Sequence, residues 1–249
     1  MARSGGRSVD LPTSNLSKSM KLERLLAKYG SMGRNRARLA ITDGRIQVDG
    51  KVETRIDHEV DRFRRIEMNG AVIQTGDRLL HVMLHKPRGV VSATRDAEHV
   101  TVIDLIDDPD RVSLHLVGRL DRDTSGLMLL TNDGRWSKAL MHPDHKVPKV
   151  YLVETRDVIP LEAVELFAAG FHFHTENLTT MPAELEILSD RRARLTLHEG
   201  RYHQVKRMFH RIGNRVTALH RERIGALTLA YDLAPGEWRF LTNAEIAVV

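Results

Sequence analysis

Residues 112–134 read VSLHLVGRLDRDTSGLMLLTNDG, two apolar runs flanking a loop that carries Arg119, Asp121, Arg122 and Asp123. Val- and Leu-rich runs bounded by Gly, Asn and Asp read as strands, here 112–117 and 126–131. A loop held between two core strands is a rigid mount for an acid. Three uses compete for it: a polar turn with surface ion pairs, a metal site built on Asp121 and Asp123, or one catalytic carboxylate in a metal-free site. The spacing Asp-x-Asp does not choose among them.

Working outward, further strands are expected at 81–85, 149–155, 183–188 and 193–198, with a last pair within 216–229, and helices at 134–141, 160–169 and 203–212. Strand pairs separated by only a few residues, as at Ser189 to Arg192, imply a mostly antiparallel sheet. Upstream, Leu22, Leu25, Leu26 and Tyr29 recur at helical spacing, and Gly30 can end that helix. GRNRARLAITDG (33–44) restarts one, with Ala37, Leu39, Ala40 and Ile41 inward. Alternating residues around Asp49-Gly50 and Asn69-Gly70 signal two hairpins with two-residue turns. The class is α+β. A small helix-helix-sheet domain over 19–77 is followed by a larger mixed, mostly antiparallel sheet domain with flanking helices over 81–249. Residues 1–18, rich in Ser, Gly and Arg, are expected to be a flexible tail.

Hydrophobic residues make up 41% of the 249 and charged ones 29%, which describes a soluble globular protein with a sizeable core. No apolar run approaches the roughly 18 residues of a membrane span, and no secretory h-region opens the chain, so a cytoplasmic protein is expected. The absence of cysteine excludes disulfides, thiolate zinc sites and cysteine nucleophiles. The net charge of +5 is uneven: residues 1–80 carry +6 and the remainder −1. A basic module ahead of a near-neutral body suggests attachment to a polyanion, most often nucleic acid. Arg34, Arg36 and Arg38 on the second helix, with Arg45 and Lys51 beyond it, form that positive face. His172 with His174 and His142 with His145 lie close in sequence, but no third ligand stands at a recognisable interval, and no Gly-Lys-Ser/Thr follows the glycines of the 118–126 loop. Neither metal nor cofactor is expected.

The first module resembles the S4 RNA-binding domain in Leu22-Glu23, Gly30, Arg34, Ala37, Ile41, Gly44-Arg45-Ile46 and Val48-Asp49-Gly50, with Gly33 standing where that pattern has Ser. GRLDRDTSGL (118–127) is similar to the signature of pseudouridine synthases of the RsuA/RluA superfamily. The resemblance implies that Asp121 is the essential carboxylate and that Arg119 enters the RNA stack to help extrude the target uridine. KVPKVYLVET (146–155) resembles the family's Lys-x-Tyr strand, which puts Lys149 and Tyr151 at the site with Tyr151 against the flipped base; core packing is the plain alternative for this tyrosine. LTLHEGRYHQVKRMFHRIG (195–213) resembles the third motif, whose helix supplies a basic partner for the aspartate. Val205, Met208, Phe209 and Ile212 define the buried face of that helix, so Lys206 falls on its flank and can reach a core-edge carboxylate. Arg207 falls nearly opposite, toward solvent or phosphate.

EGRYHQVKRMF, LHRERIG and DLAPGEWRFLT look like the superfamily's small-subunit ribosomal RNA branch. The resemblance therefore implies isomerisation of one uridine of 16S rRNA, in free RNA or a small-subunit assembly particle. It involves no membrane and no small-molecule cofactor, and a monomer is expected. A buried Asp121 anion would require a compensating cation such as Lys206. Two alternatives stand beside this reading: a metal-dependent RNA-cleaving enzyme using Asp121 and Asp123, and a non-catalytic ribosome assembly factor.

Overall fold

The computed structural model describes residues 19–174 and 176–248; the expected tail lies outside the described residues. The chain forms two compact units, one ending at Leu79 and the other starting at Leu80. In the first, β1 (Met20–Lys21) leads into α1 (Leu22–Tyr29) and α2 (Arg34–Thr42). Strands β2 (Ile46–Val48), β3 (Lys51–Val52), β4 (Glu59–Val60), β5 (Ile66–Met68) and β6 (Ala71–Gln74) follow. Four of these make an antiparallel sheet in the order β3-β2-β5-β6, while β1 pairs with β4. Both hairpin turns hold positive φ at two successive residues, Asp49-Gly50 and Asn69-Gly70, as a turn matched to strand twist requires.

Leu22, Leu25 and Leu26 of α1 meet Ala37, Ala40 and Ile41 of α2 in a closed core. Leu39, expected inward, is 60% exposed. At about 100° per residue it sits on the other side of the helix from the line through 37, 40 and 41.

The second unit contains β7 (His81–Lys86), β8 (His115–Val117), β9 (Ser125–Thr131), α3 (Gly134–Met141), β10 (Lys149–Thr155), α4 (Ala163–Ala169), β11 (His172–Phe173) and β12 (Leu178–Thr179). It ends with β13 (Glu184–Ser189), β14 (Arg192–Leu197), α5 (Gln204–Arg211), β15 (Val216–Ile224), β16 (Leu227–Thr228), β17 (Trp238–Phe240) and α6 (Asn243–Ala247). Among the described residues a nine-stranded sheet runs β13-β14-β10-β15-β9-β7-β17, with β16 on β15 and β8 on β9. Every pair in it is antiparallel except β9 with β15.

The middles of β7 (82–84) and β9 (127–130) are unbroken apolar runs because both faces of the sheet are covered. Val82, Leu84, Met128 and Leu130 face the core beneath α4 and α5, where Phe167 and Phe209 pack. Met83, Leu127 and Leu129 face the core beneath α3, with Trp136 and Leu140. Each fully buried Phe contributes roughly 1.5–3 kcal/mol. The strand expected at 112–117 is shorter: residues 111–113 form a 3-10 turn, and Val112 is 81% exposed. The helix expected at 160–169 begins at Ala163, after a turn closed by its own amide on the Pro160 carbonyl.

Gly126 makes the parallel β9–β15 contact possible. Its φ is +111°, and a Cβ there would lie 2.3 Å from the Arg221 carbonyl oxygen and 2.5 Å from the Arg221 nitrogen. Both atoms are backbone and cannot swing aside. Gly126→Ala is therefore expected to lower stability by about 3 kcal/mol or more, measured by urea unfolding, or to leave no folded protein.

No helix among the described residues is long and apolar enough to cross a membrane.

Candidate active site

The loop between β8 and β9 is held from below by two basic side chains and one hydroxyl bonded to its main chain. Lys86, the last residue of β7, is fully buried and donates to the carbonyls of Pro87, Arg122 and Thr124 at 3.0, 3.3 and 2.8 Å. Arg221, 2% exposed on β15, donates from Nε to the Leu127 carbonyl at 2.9 Å and from a terminal nitrogen to the Arg119 carbonyl at 3.5 Å. Ser92 Oγ donates to the Leu120 carbonyl at 2.7 Å and accepts from the Leu120 amide at 3.1 Å. Burial pushes the Lys86 ammonium down to about 8, while the charges of Asp121 and Asp123 pull it back up.

On this mount Asp121 is half-buried. Its Oδ2 lies 3.7 Å from Lys206 Nζ, and its Oδ1 lies 3.5 Å from His203 Nε2. The anion is thus less buried than expected, with 30% of its side chain exposed, so water shares in its solvation. Lys206 Nζ is also 3.7 Å from Oδ2 of the more exposed Asp123, and so stands within ion-pair range of both carboxylates.

Lys206 is aimed by its helix. Val205, Met208 and Phe209 are buried, which leaves Lys206 on the flank facing the loop. The turn before α5 is tied by Gln204, which accepts from the Arg201 amide and donates to Glu199. Arg207 lies away from the loop, at the surface and partly exposed. It forms a forked pair with Glu176 at 2.7 and 2.6 Å, with its guanidinium 3.7 Å from the Phe173 ring centroid. A planar cation is better satisfied by a carboxylate below and an aromatic face beside it than by water alone.

Tyr151 lies opposite Arg221 on the neighbouring strand, and Arg221 lies opposite Gly126, so register lines the motifs up in one row. The tyrosine is 8% exposed and packs in the larger core, and its hydroxyl makes no hydrogen bond among the described residues. Lys149 is half-buried and donates to the Val147 carbonyl at 2.9 Å; burial, then the Arg221 charge, push its ammonium down. Arg119 is exposed, with its side chain making no hydrogen bond or ion pair among the described residues. A cavity of about 830 Å³ beside the loop is lined by Arg88, Asp123, Arg156, Lys206, His210 and Arg215 among others.

In the first unit Arg34, Arg36, Arg45 and Lys51 are exposed, and their side chains make no hydrogen bond or ion pair among the described residues. Arg38 differs, being bonded to Glu23, whose carboxyl it holds below the usual range. Its charge is partly matched within the unit, while its side chain stays 51% exposed on that face. His172 and His174 lie with ring centroids 4.8 Å apart and His142 and His145 5.1 Å apart, and no group of three or more His, Asp or Glu side chains among the described residues could hold a metal.

Lys86, Arg221 and His203 escaped the sequence reading. Nothing local marks a lysine at a strand end as buried, and the carbonyls that bury Lys86 come partly from residues 36 and 38 positions away.

Residues 80–211 match the family model described as RNA pseudouridylate synthase. "Ribosomal small subunit pseudouridine synthase A" of Pseudomonas aeruginosa is 50% identical over 230 residues, covering 92% of this chain and all of the relative. The protein of the same name from Escherichia coli K12 is 42% identical over the same coverage. A crystal structure of a pseudouridylate synthase superposes with a TM-score of 0.67 at 37% identity, covering 93% of this chain and all of that one. The chain belongs to the RNA pseudouridylate synthase family, as an RsuA-type enzyme.

Proposed function

We propose that the protein isomerises one uridine of 16S ribosomal RNA to pseudouridine, with Asp121 as the reacting carboxylate. The observation that carries this reading is Asp121 on a backbone-clamped loop, with Lys206 and His203 at its two oxygens. Isomerisation breaks the glycosidic N–C bond, turns the base and rejoins it through carbon, so one positioned carboxylate suffices, either attacking the sugar carbon or removing a sugar proton. Lys206 balances the charge of Asp121, Tyr151 lies against the extruded base, and Arg119 enters the gap left in the stack. Lys149 and Arg207 contribute to RNA binding, Arg207 through a side chain already fixed by Glu176. The shared lysine at 3.7 Å from each carboxylate supports a metal-free reading of the pair over a nuclease.

The first unit is read as an S4-like RNA-binding domain covering 19–77, and the second as the catalytic domain covering 81–249. The reading is of a cytoplasmic monomer working on 16S rRNA or a small-subunit assembly particle without a cofactor. Incubation with 16S transcript, followed by carbodiimide treatment and primer extension, should reveal one new stop. No stop at any uridine would refute the proposal.

Replacing Arg34, Arg36, Arg45 and Lys51 by alanine together should weaken RNA binding and flatten its salt dependence. Each lost phosphate contact removes about 0.7–0.9 from the slope of log K against log salt. Filter binding between 50 and 200 mM salt, roughly the range where such contacts dominate, checks this.

Lys206→Met should slow turnover about tenfold or more, because the half-buried pair is partly screened yet the anion loses its nearest ammonium. Arg207→Met should mainly weaken the Glu176 and Phe173 contacts. Single-turnover rates that put Arg207→Met below Lys206→Met would contradict the assignment.

A further inference from the structure

The chain enters α5 through Tyr202 and His203, and His203 sits at φ +49°, a left-handed region that few residues other than glycine occupy and that His, Asn and Asp enter most readily among them. The Arg201 amide donates to Gln204, its guanidinium donates to Glu199, and Gln204 donates to Glu199, which together hold the turn in this form. Its effect is to lay the Tyr202 ring on the His203 ring, with centroids 3.9 Å apart and planes within 19°. His203 in turn stands 3.5 Å from Oδ1 of Asp121. Tyr202 is 76% exposed, so one face of its ring is covered by histidine and the other is open.

A single exposed aromatic needs no explanation. This one is fixed by a stacked neighbour on a constrained backbone and stands one ring away from the candidate reacting carboxylate. Strained, pre-set conformations of this kind gather at sites of function. Extruding a base leaves its neighbours without a stacking partner, and an open aromatic face is a replacement that any of the four bases can use.

We propose that Tyr202, backed by His203, is a stacking platform for a nucleobase of the substrate RNA adjacent in sequence to the uridine held at Asp121. The proposal rests on the reading of Asp121 as the reacting carboxylate. It assigns Tyr202 a binding role and His203 a positioning role. The ligand is an unpaired base, recognised by its flat face with little preference for its edge.

The test uses the full chain and RNA fragments carrying 2-aminopurine at each nucleotide flanking the target. The wild-type protein should quench fluorescence at one of these positions. Tyr202→Leu should abolish that quenching and raise Kd about tenfold, within the range for one base stacked on one side chain. Tyr202→Trp should restore both. An abasic nucleotide at the quenched position should cost the wild type the same factor and cost Tyr202→Leu nothing further, which a merely structural role would not produce. Absence of quenching at every position, quenching that survives Tyr202→Leu, or an unchanged Kd overturns the proposal. These readouts need no turnover, so RNA that binds and quenches but gains no pseudouridine would count against the Asp121 reading and leave the platform standing.

Discussion

Asp121→Asn should slow uridine isomerisation by at least about 10⁴-fold while leaving RNA affinity within about threefold of wild type. Asparagine keeps the shape of the side chain but supplies neither nucleophile nor base. The loop is held through its backbone by Lys86, Arg221 and Ser92, so its position does not depend on the Asp121 carboxylate. RNA binding draws on many phosphate contacts, and one neutralised acid changes it little. Asp123→Asn is the matched control. Its carboxylate is 69% exposed and 3.7 Å from Lys206, so this variant should retain activity within about tenfold. Equal loss in both variants, read as single-turnover rates, would instead favour a two-carboxylate site.

Lys86→Met should be the second severe change, and its signature is a joint loss of stability and rate. Methionine fills similar volume but leaves the Pro87 and Thr124 carbonyls without this donor, while the Arg122 carbonyl keeps the Gly89 amide, at a cost of about 2–4 kcal/mol. With the loop no longer anchored at Thr124 and held less firmly at Arg122, Asp121 loses its placement, and turnover should fall at least about 10²-fold. Burial lowers the ammonium to about 8 in the folded protein, below its ordinary value of 10.5. Between those values the unfolded chain binds more protons, so the Lys86 contribution to stability rises with pH across that window. The gap in unfolding free energy between wild type and Lys86→Met should therefore widen from about pH 8 to pH 10. A gap that narrows there would mean that Lys86 is held charged by its carbonyl partners.

Local chemistry explains which parts of this molecule were legible in advance. The two-residue turns at Asp49-Gly50 and Asn69-Gly70 announce positive φ, and the structure has it at all four residues. The register of α5 followed from Val205, Met208, Phe209 and Ile212 and told Lys206 from Arg207, whereas the pairing of this helix with the loop came from the family resemblance. What stayed hidden depends on distant partners. The Glu176 and Phe173 partners of Arg207 could not be read from the helix itself, because they arrive from a hairpin some thirty positions earlier. Arg38 read as free charge, although Glu23 waits on the preceding helix. Arg221 looks like any surface strand arginine until β9 packs parallel against it through Gly126. Short strands such as β17, which closes the sheet against β7, carry too few residues for a periodic signal.

The most direct test of Asp121 as the carboxylate that isomerises uridine is tritium release from 16S transcript labelled at uridine C5. Joining the base to the sugar through C5 expels that hydrogen and leaves the RNA chain intact. Wild-type protein should release tritium to a plateau of one per RNA with the transcript at full length, and Asp121→Asn should release none. Shortened RNA, no release by the wild type, or release by Asp121→Asn at the wild-type rate would contradict the account.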